Sequence, residues 1–124
     1  SYVVNQVNEI LNNNKIMLNN SKILLMGVAY KKDISDMRES PAIDIAELLL
    51  DKNVEVSYFD PFVEEFKVSG HSINKEIDPD TFENYDMLLV LTPHSEFNNI
   101  EFAHLDTIIF DTTGSDFIKS SERI

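Results

Sequence analysis

Three cations, Lys31, Lys32 and Arg38, stand between positions 31 and 38 of a chain that has only ten Lys and Arg in all. An apolar run from Ile23 to Val28 leads into them, and Ser40-Pro41 opens a helix behind them. A cationic loop between a buried strand and a helix N-terminus suits a phosphate-bearing ligand, because backbone N–H groups and the helix dipole both favour negative charge there. Lys31 would bring a point charge to a phosphate. Arg38 would bring a planar fork able to grip phosphate oxygens or a ribose-bearing neighbour. The same cations could instead be solvated loop residues paired with Asp33, Asp36 or Glu39.

Other chemistry-bearing residues make weaker patterns. A dinucleotide turn needs Gly-x-Gly-x-x-Gly, and only Gly27 is present. The loop is also too long and too charged for backbone to hug a pyrophosphate. Asp60 could imitate the ribose-binding acid, or Asp60-Pro61 could simply end a strand. No Gly-Lys-Ser/Thr follows a Gly-rich turn, which excludes a P-loop. His71, His94 and His104 are dispersed. His94 follows a strand and could approach a ligand or serve local hydrogen bonds. Ser95, His94 and Asp111 can be drawn as a triad, but no nucleophile elbow supports it. Asp60 and Asp111 could form a carboxylate pair or hold Mg²⁺, although acids at strand ends are common in open sheets. Phe59, Phe62 and Phe66 read as core.

Elements must position these groups. Val3, Val4, Val7, Ile10, Leu11 and Met17 recur at helical intervals over residues 2–18, weakened by Asn12 to Asn14. This helix is expected to lead in from elsewhere and to turn its apolar stripe toward something outside the chain. Asn19 to Ser21 read as a turn. The second helix, Pro41 to Leu50, has Ser40 as N-cap, Pro41 at its first position and Asp44 toward its positive end. Its apolar face comprises Ile43, Ala46, Leu49 and Leu50, broadened by Ile45 and Leu48. Asn53 suits a left-handed terminus. Buried or alternating runs near 23, 55, 87 and 107 predict strands. Residues 61–84 are irregular, with a short helical turn at 80–84. The fold class is therefore α/β: an open, mostly parallel Rossmann-like sheet with flanking helices behind an N-terminal helix. Ligands of such sheets bind outside the carboxyl ends of strands, here the loops beginning at Tyr30, Asp60, Thr92 and Asp111.

Composition narrows the classes. A chain of 124 residues with 43% hydrophobic content makes about one domain. A formal net charge of -12 argues against a nucleic-acid partner, which needs a basic footprint. The absence of cysteine excludes a disulfide, a thiolate metal site and a cysteine nucleophile in this chain. No apolar run approaches the roughly 20 residues of a membrane span. No signal peptide is visible at Ser1 to Asn5. A cytoplasmic location is expected, and the chain reads as a piece of a longer protein.

The block from Gly27 to Ala42, with Tyr30-Lys31, Arg38 and Ser40-Pro41, resembles the signature of the C-terminal domain of the UDP-glucose/GDP-mannose dehydrogenase family. Tyr58-Phe-Asp-Pro61 is similar to that family's strand-ending Tyr-Asp-Pro. Thr92-Pro-His-Ser-Glu-Phe97 is similar to its Thr-x-His-x-x-Phe segment. Tyr2 to Asn5 resembles the helix leaving its central domain. The resemblance implies one part, residues 1–20, as a helix from a central domain, and a UDP-sugar-binding α/β domain over 21–124. It implies NAD as cofactor, bound mainly by a separate N-terminal domain. The implied reaction takes the C6 hydroxyl of a UDP-hexose or UDP-N-acetylhexosamine to the uronic acid in two hydride transfers. Its catalytic Cys, which forms a thiohemiacetal and then a thioester, cannot lie in this chain. The chain alone is expected to be inactive.

The resemblance assigns substrate contacts to Tyr30 and Lys31 and a cofactor contact to Arg38. It assigns no catalytic residue and no metal here. Partners implied are the UDP-sugar, the N-terminal and central domains of the same polypeptide, and a second copy in a homodimer; no membrane is implied. Asp111-Thr-Thr-Gly114 departs from the family's Asp-Gly-Arg or Asp-Thr-Arg, so the substrate-gripping arginine is missing at Thr113. Tyr30 rather than Phe leans toward UDP-N-acetylhexosamines. A different class remains open: a stand-alone nucleotide-binding or regulatory module without catalysis. A Gly-x-Gly-x-x-Gly and a Cys encoded upstream would favour the enzyme. A receiver-like domain needs an acidic cluster on the first strand, which has none.

Overall fold

The computed structural model describes residues 1–31, 33, 35, 37, 40–114 and the backbone of 122–123. Helix α1 spans Tyr2–Asn13, strand β1 Lys22–Met26, helix α2 Pro41–Asp51 and strand β2 Glu55–Phe59. Three short strands follow: β3 at Lys67–Val68, β4 at His71–Ser72 and β5 at Asn74–Lys75. Then come β6 at Met87–Val90, β7 at Ile108–Asp111 and β8 at Glu122–Arg123. Short 3₁₀ helices occupy Pro79–Asn84, Ser95–Asn99 and Phe102–His104.

The expected open sheet is present. Six strands run in the order β5-β2-β1-β6-β7-β8, and every pairing among them is parallel. Successive side chains on a strand point to opposite faces, so a strand buried on both faces must be apolar throughout. Thus Ile23, Leu25, Met87, Leu89 and Phe110 join α1 and α2 in one core layer. Leu24, Met26, Leu88, Val90 and Ile109 form the other, under Phe82, Phe97 and Phe102. Those three phenylalanines come from the 3₁₀ segments.

Helix α2 follows its sequence signals. Ser40 is extended, and its hydroxyl accepts from the Ala42 N–H. Pro41 takes the first helical position, where a missing N–H costs nothing. Burial falls on Ala42, Ile45, Ala46 and Leu49, the spacing of one helical face, so the buried face is centred between the two expected groups of residues. Asn53, at φ 61, turns the chain out of the helix as anticipated.

Two expectations change. Helix α1 turns its apolar stripe inward: Val4, Val7, Ile10 and Leu11 are buried in the same layer as α2 and the sheet. The covering surface is the chain's own, so the stripe needs nothing outside it. Met17 lies beyond the helix end and is exposed. Residues 61–84 are also more ordered than their composition suggests. The β3–β4 hairpin buries Phe66 and Val68, and β5 pairs with β2 as the edge of the main sheet. Short strands of one or two apolar residues carry too little periodicity to read in advance.

Candidate functional site at the carboxyl end of the sheet

After β1 the chain builds β2 on one side and later β6 on the other, which places the switch point of the sheet between β1 and β6. Open α/β sheets bind ligands outside such a point. The register sets Met26 beside both Phe59 and Val90, so the loops after β1, β2 and β6 emerge side by side.

Gly27 begins the first of these loops at φ +79, and a Cβ there would lie 2.2 Å from the Thr92 carbonyl oxygen. Only glycine meets both conditions. The close approach lets Thr92 Oγ1 donate to the Ala29 carbonyl at 2.5 Å. On the helix side, Ser40 Oγ donates to the Val28 carbonyl at 2.6 Å while capping α2. Both carbonyls at the start of the loop are thereby held.

The matching N–H groups are held by Asp60. Its buried Oδ2 accepts from the Val28 N–H at 2.8 Å and the Ala29 N–H at 3.2 Å. Its Oδ1 accepts from the Phe62 N–H at 2.8 Å, which makes the Asp60-Pro61 turn. The fully buried His94 ring completes the set, with Nε2 2.8 Å from Asp60 Oδ2. His94 Nδ1 lies 2.7 Å from the Asp33 N–H, which can only donate. The network therefore assigns Nδ1 as acceptor and Nε2–H as donor to Asp60. Burial pushes the Asp60 carboxyl up, but hydrogen bonds from His94, Val28 and Phe62 outweigh it and hold the pKa below the ordinary aspartate value. Phe62 and Phe97 flank the imidazole, their ring centroids 4.8 and 5.6 Å from its own.

One loop residue reaches back across the switch point. Asp33, in the left-handed region at φ 64, receives the Ser95 N–H on Oδ1 at 2.8 Å and the Ser95 hydroxyl on Oδ2 at 2.6 Å. Between these fixed points Tyr30 and Lys31 are exposed. Lys31 Nζ lies 5.7 Å from the centre of the Tyr30 ring, within cation–π range. Arg38, like Lys32, Asp36 and Glu39, lies outside the described residues.

The other candidates disperse or are reassigned. Asp60 meets backbone and His94, so it is neither a ribose-binding acid nor one half of an open carboxylate pair. Asp111 is buried at the end of β7, where its Oδ1 accepts from the Thr113 N–H and hydroxyl. The drawn triad does not form: His94 is bonded to Asp60 and Asp33, and Ser95 to Asp33. His71 sits in the β3–β4 hairpin and His104 near Glu101, both on the surface. The strand-to-helix turn does not fit a dinucleotide pyrophosphate, because the Val28 and Ala29 N–H groups that would face it are committed to Asp60. Sequence reasoning missed the central part of Asp60, and that of Asp33 and Ser95. The signal was available only through register, since Asp60 and His94 become neighbours once β2 and β6 both flank β1.

The profile of the UDP binding domain of the UDP-glucose/GDP-mannose dehydrogenase family matches residues 24–115. The UDP-N-acetyl-D-mannosamine dehydrogenase of Methanococcus vannielii is 33% identical over 107 residues, which is 86% of this chain and 23% of that protein. The UDP-N-acetyl-mannosamine dehydrogenase of Staphylococcus aureus, a solved structure, is 35% identical with a TM-score of 0.69, over 98% of this chain and 28% of that one. A UDP-glucose dehydrogenase from Pyrobaculum islandicum shares the fold at a TM-score of 0.74 and 21% identity, over 98% of this chain and 28% of that one. The chain thus spans about a quarter of the length of these relatives. With its signature loop, strand-ending Asp60-Pro61 and Thr92 to Phe97 segment all set around one switch point, this chain belongs to the UDP-glucose/GDP-mannose dehydrogenase family, in which it corresponds to the UDP binding domain.

Proposed function

We propose that this chain is the nucleotide-sugar-binding domain of an NAD-dependent UDP-sugar 6-dehydrogenase, with the Tyr30-Lys31 pair as its substrate contact. The observation that carries this is the exposed cation on an otherwise acidic protein, held outside the switch point by a loop whose backbone is fixed at both ends. Lys31 offsets the diphosphate charge, and Tyr30 packs beside the sugar. The held ends of the loop support this, since a ligand then spends little binding energy on ordering them. The identity to UDP-N-acetylmannosamine dehydrogenases supports a UDP-N-acetylhexosamine as the sugar.

NAD accepts the two hydrides of the proposed reaction and belongs to a separate domain, in keeping with a strand-to-helix turn that does not fit a dinucleotide. The catalytic cysteine likewise belongs to another part of the polypeptide, and residues 1–20 lead in from the domain between. Arg38, to which the family resemblance assigns a cofactor contact, is proposed to bind NAD. The proposed partners are therefore the UDP-sugar, the preceding domains and a second copy in a homodimer, in the cytoplasm.

Lys31→Ala in the full-length protein is expected to raise KM for the UDP-sugar about tenfold, the scale of one charge-assisted phosphate contact, with a smaller effect on NAD. An unchanged KM would remove Lys31 from the site. Arg38→Ala is expected to weaken NAD in preference to the sugar nucleotide. Equal NAD affinity in variant and parent would exclude that contact.

A further inference from the structure

We propose that Ser95 and Asp33 are positioning residues, a latch across the switch point that keeps Lys31 available to an anionic ligand without touching that ligand; the ligand itself rests on the function proposed above. Asp33 is two residues from Lys31, in a loop where a carboxylate is the natural competitor for that cation. The structure directs the carboxylate elsewhere. Ser95 gives its N–H to one oxygen at 2.8 Å and its hydroxyl to the other at 2.6 Å. The Asp33 N–H is taken by His94 Nδ1 at 2.7 Å. Consecutive residues after β6 thus bind both ends of Asp33, and Lys31 lies over the Tyr30 ring instead.

Two features separate this arrangement from ordinary loop packing. Asp33 sits at φ 64, in the left-handed region, where its N–H meets His94 while its carboxylate meets Ser95. His94, the anchor behind Ser95, is fully buried and tied to Asp60, so the latch is mounted on a rigid base. The charged groups facing His94 among the described residues are Asp60 from the end of β2 and Asp33 from the loop, whose Oδ1 is 3.9 Å from Nδ1. The latch residues themselves, Asp33 and Ser95, are exposed. Changing Ser95 therefore alters the latch with little effect on the core.

The test compares Ser95→Ala and Ser95→Thr with the parent in the full-length protein. UDP is titrated calorimetrically, hydrogen exchange is followed on the peptide carrying Asp33, and a thermal melt checks the fold. Ser95→Ala removes one charge-assisted hydrogen bond at an exposed site and is expected to speed exchange in that peptide and weaken UDP about fivefold. Its melting temperature should stay at that of the parent, and Ser95→Thr, which keeps the hydroxyl, should restore both readouts. Unchanged exchange in Ser95→Ala would overturn the latch. Faster exchange with unchanged UDP affinity would overturn its positioning role. Loss of UDP affinity with a lowered melting temperature and no rescue by threonine would reduce Ser95 to a structural residue, which also overturns it. A parent that takes no UDP would overturn the proposed function, and with it the positioning of that ligand, whatever the exchange shows.

Discussion

Asp60 accepts hydrogen bonds from Val28, Ala29, Phe62 and His94 while only 1% exposed. A buried acceptor of this kind cannot be removed cheaply, because each donor left behind keeps its desolvation cost. Asp60→Ala is expected to destabilise the fold by on the order of 3 kcal/mol, read from urea denaturation near neutral pH. The pH dependence has a definite sign. The folded-state pKa of Asp60 lies below its usual 3.8. Its contribution is therefore complete above the unfolded value and is lost as pH falls through the lower folded value. The stability difference between the parent and Asp60→Asn should accordingly be constant above pH of about 5 and shrink below about 4. A difference independent of pH would mean that Asp60 acts through shape rather than charge. Asp60 and His94 each stand in a segment that resembles the family's, but nothing in the sequence pairs them. Asp-Pro is an ordinary strand end, and a lone histidine after Thr-Pro has many uses.

Among the described residues, the Ser40 hydroxyl ties helix α2 to the start of the site loop. Ser40 Oγ accepts from the Ala42 N–H and donates to the Val28 carbonyl, so one side chain caps the helix and fixes the exit of β1. Ser40→Ala is expected to cost about 2 kcal/mol, the sum of a lost N-cap and a buried carbonyl without its donor. Ser40→Thr should recover most of it. A loss below about 0.5 kcal/mol in the same denaturation experiment would show that water or another donor replaces the hydroxyl. The cap itself was legible from Ser40-Pro41, because capping is a local property of a few consecutive residues. The bond to Val28 was not, since it depends on how closely α2 approaches the end of β1. Helix α1 teaches the same distinction. Its stripe of Val4, Val7, Ile10 and Leu11 was readable from spacing, but the surface that covers it is set by the packing of α2 and the sheet.

Across the whole molecule, a formal net charge of -12 makes the acidic body repel itself and any anionic ligand. Salt screens this repulsion, with a Debye length that falls from about 30 Å at 0.01 M to about 10 Å at 0.1 M. The melting temperature at neutral pH is therefore expected to rise by a few degrees between about 0.01 and 0.3 M NaCl. A falling melting temperature would mean that local pairs such as Lys22–Glu55, at 3.8 Å, outweigh the global repulsion. On the same acidic background an exposed lysine at the sheet end is a local exception, which is why its neighbours matter. Among the described residues no helix is long and apolar enough to cross a membrane.

The sequence by itself determined the parts of this protein that depend on neighbours along the chain. These are the apolar strands, the capped second helix, the glycine opening the cationic loop, and the signature that places the chain in its family. Each follows from a periodicity or a motif contained within a dozen or so residues. Tertiary structure alone decided which strand ends meet. Setting β2 and β6 on either side of β1 brings Asp60, Thr92, His94 and Ser95 to one loop from positions more than thirty residues away along the chain. It also directs the Asp33 carboxylate toward Ser95, a choice among nearby cations and donors that spacing leaves open. Short-range signals are local and survive in any arrangement of the elements. Contacts between loops are created by strand order and register, which exist only in the folded sheet.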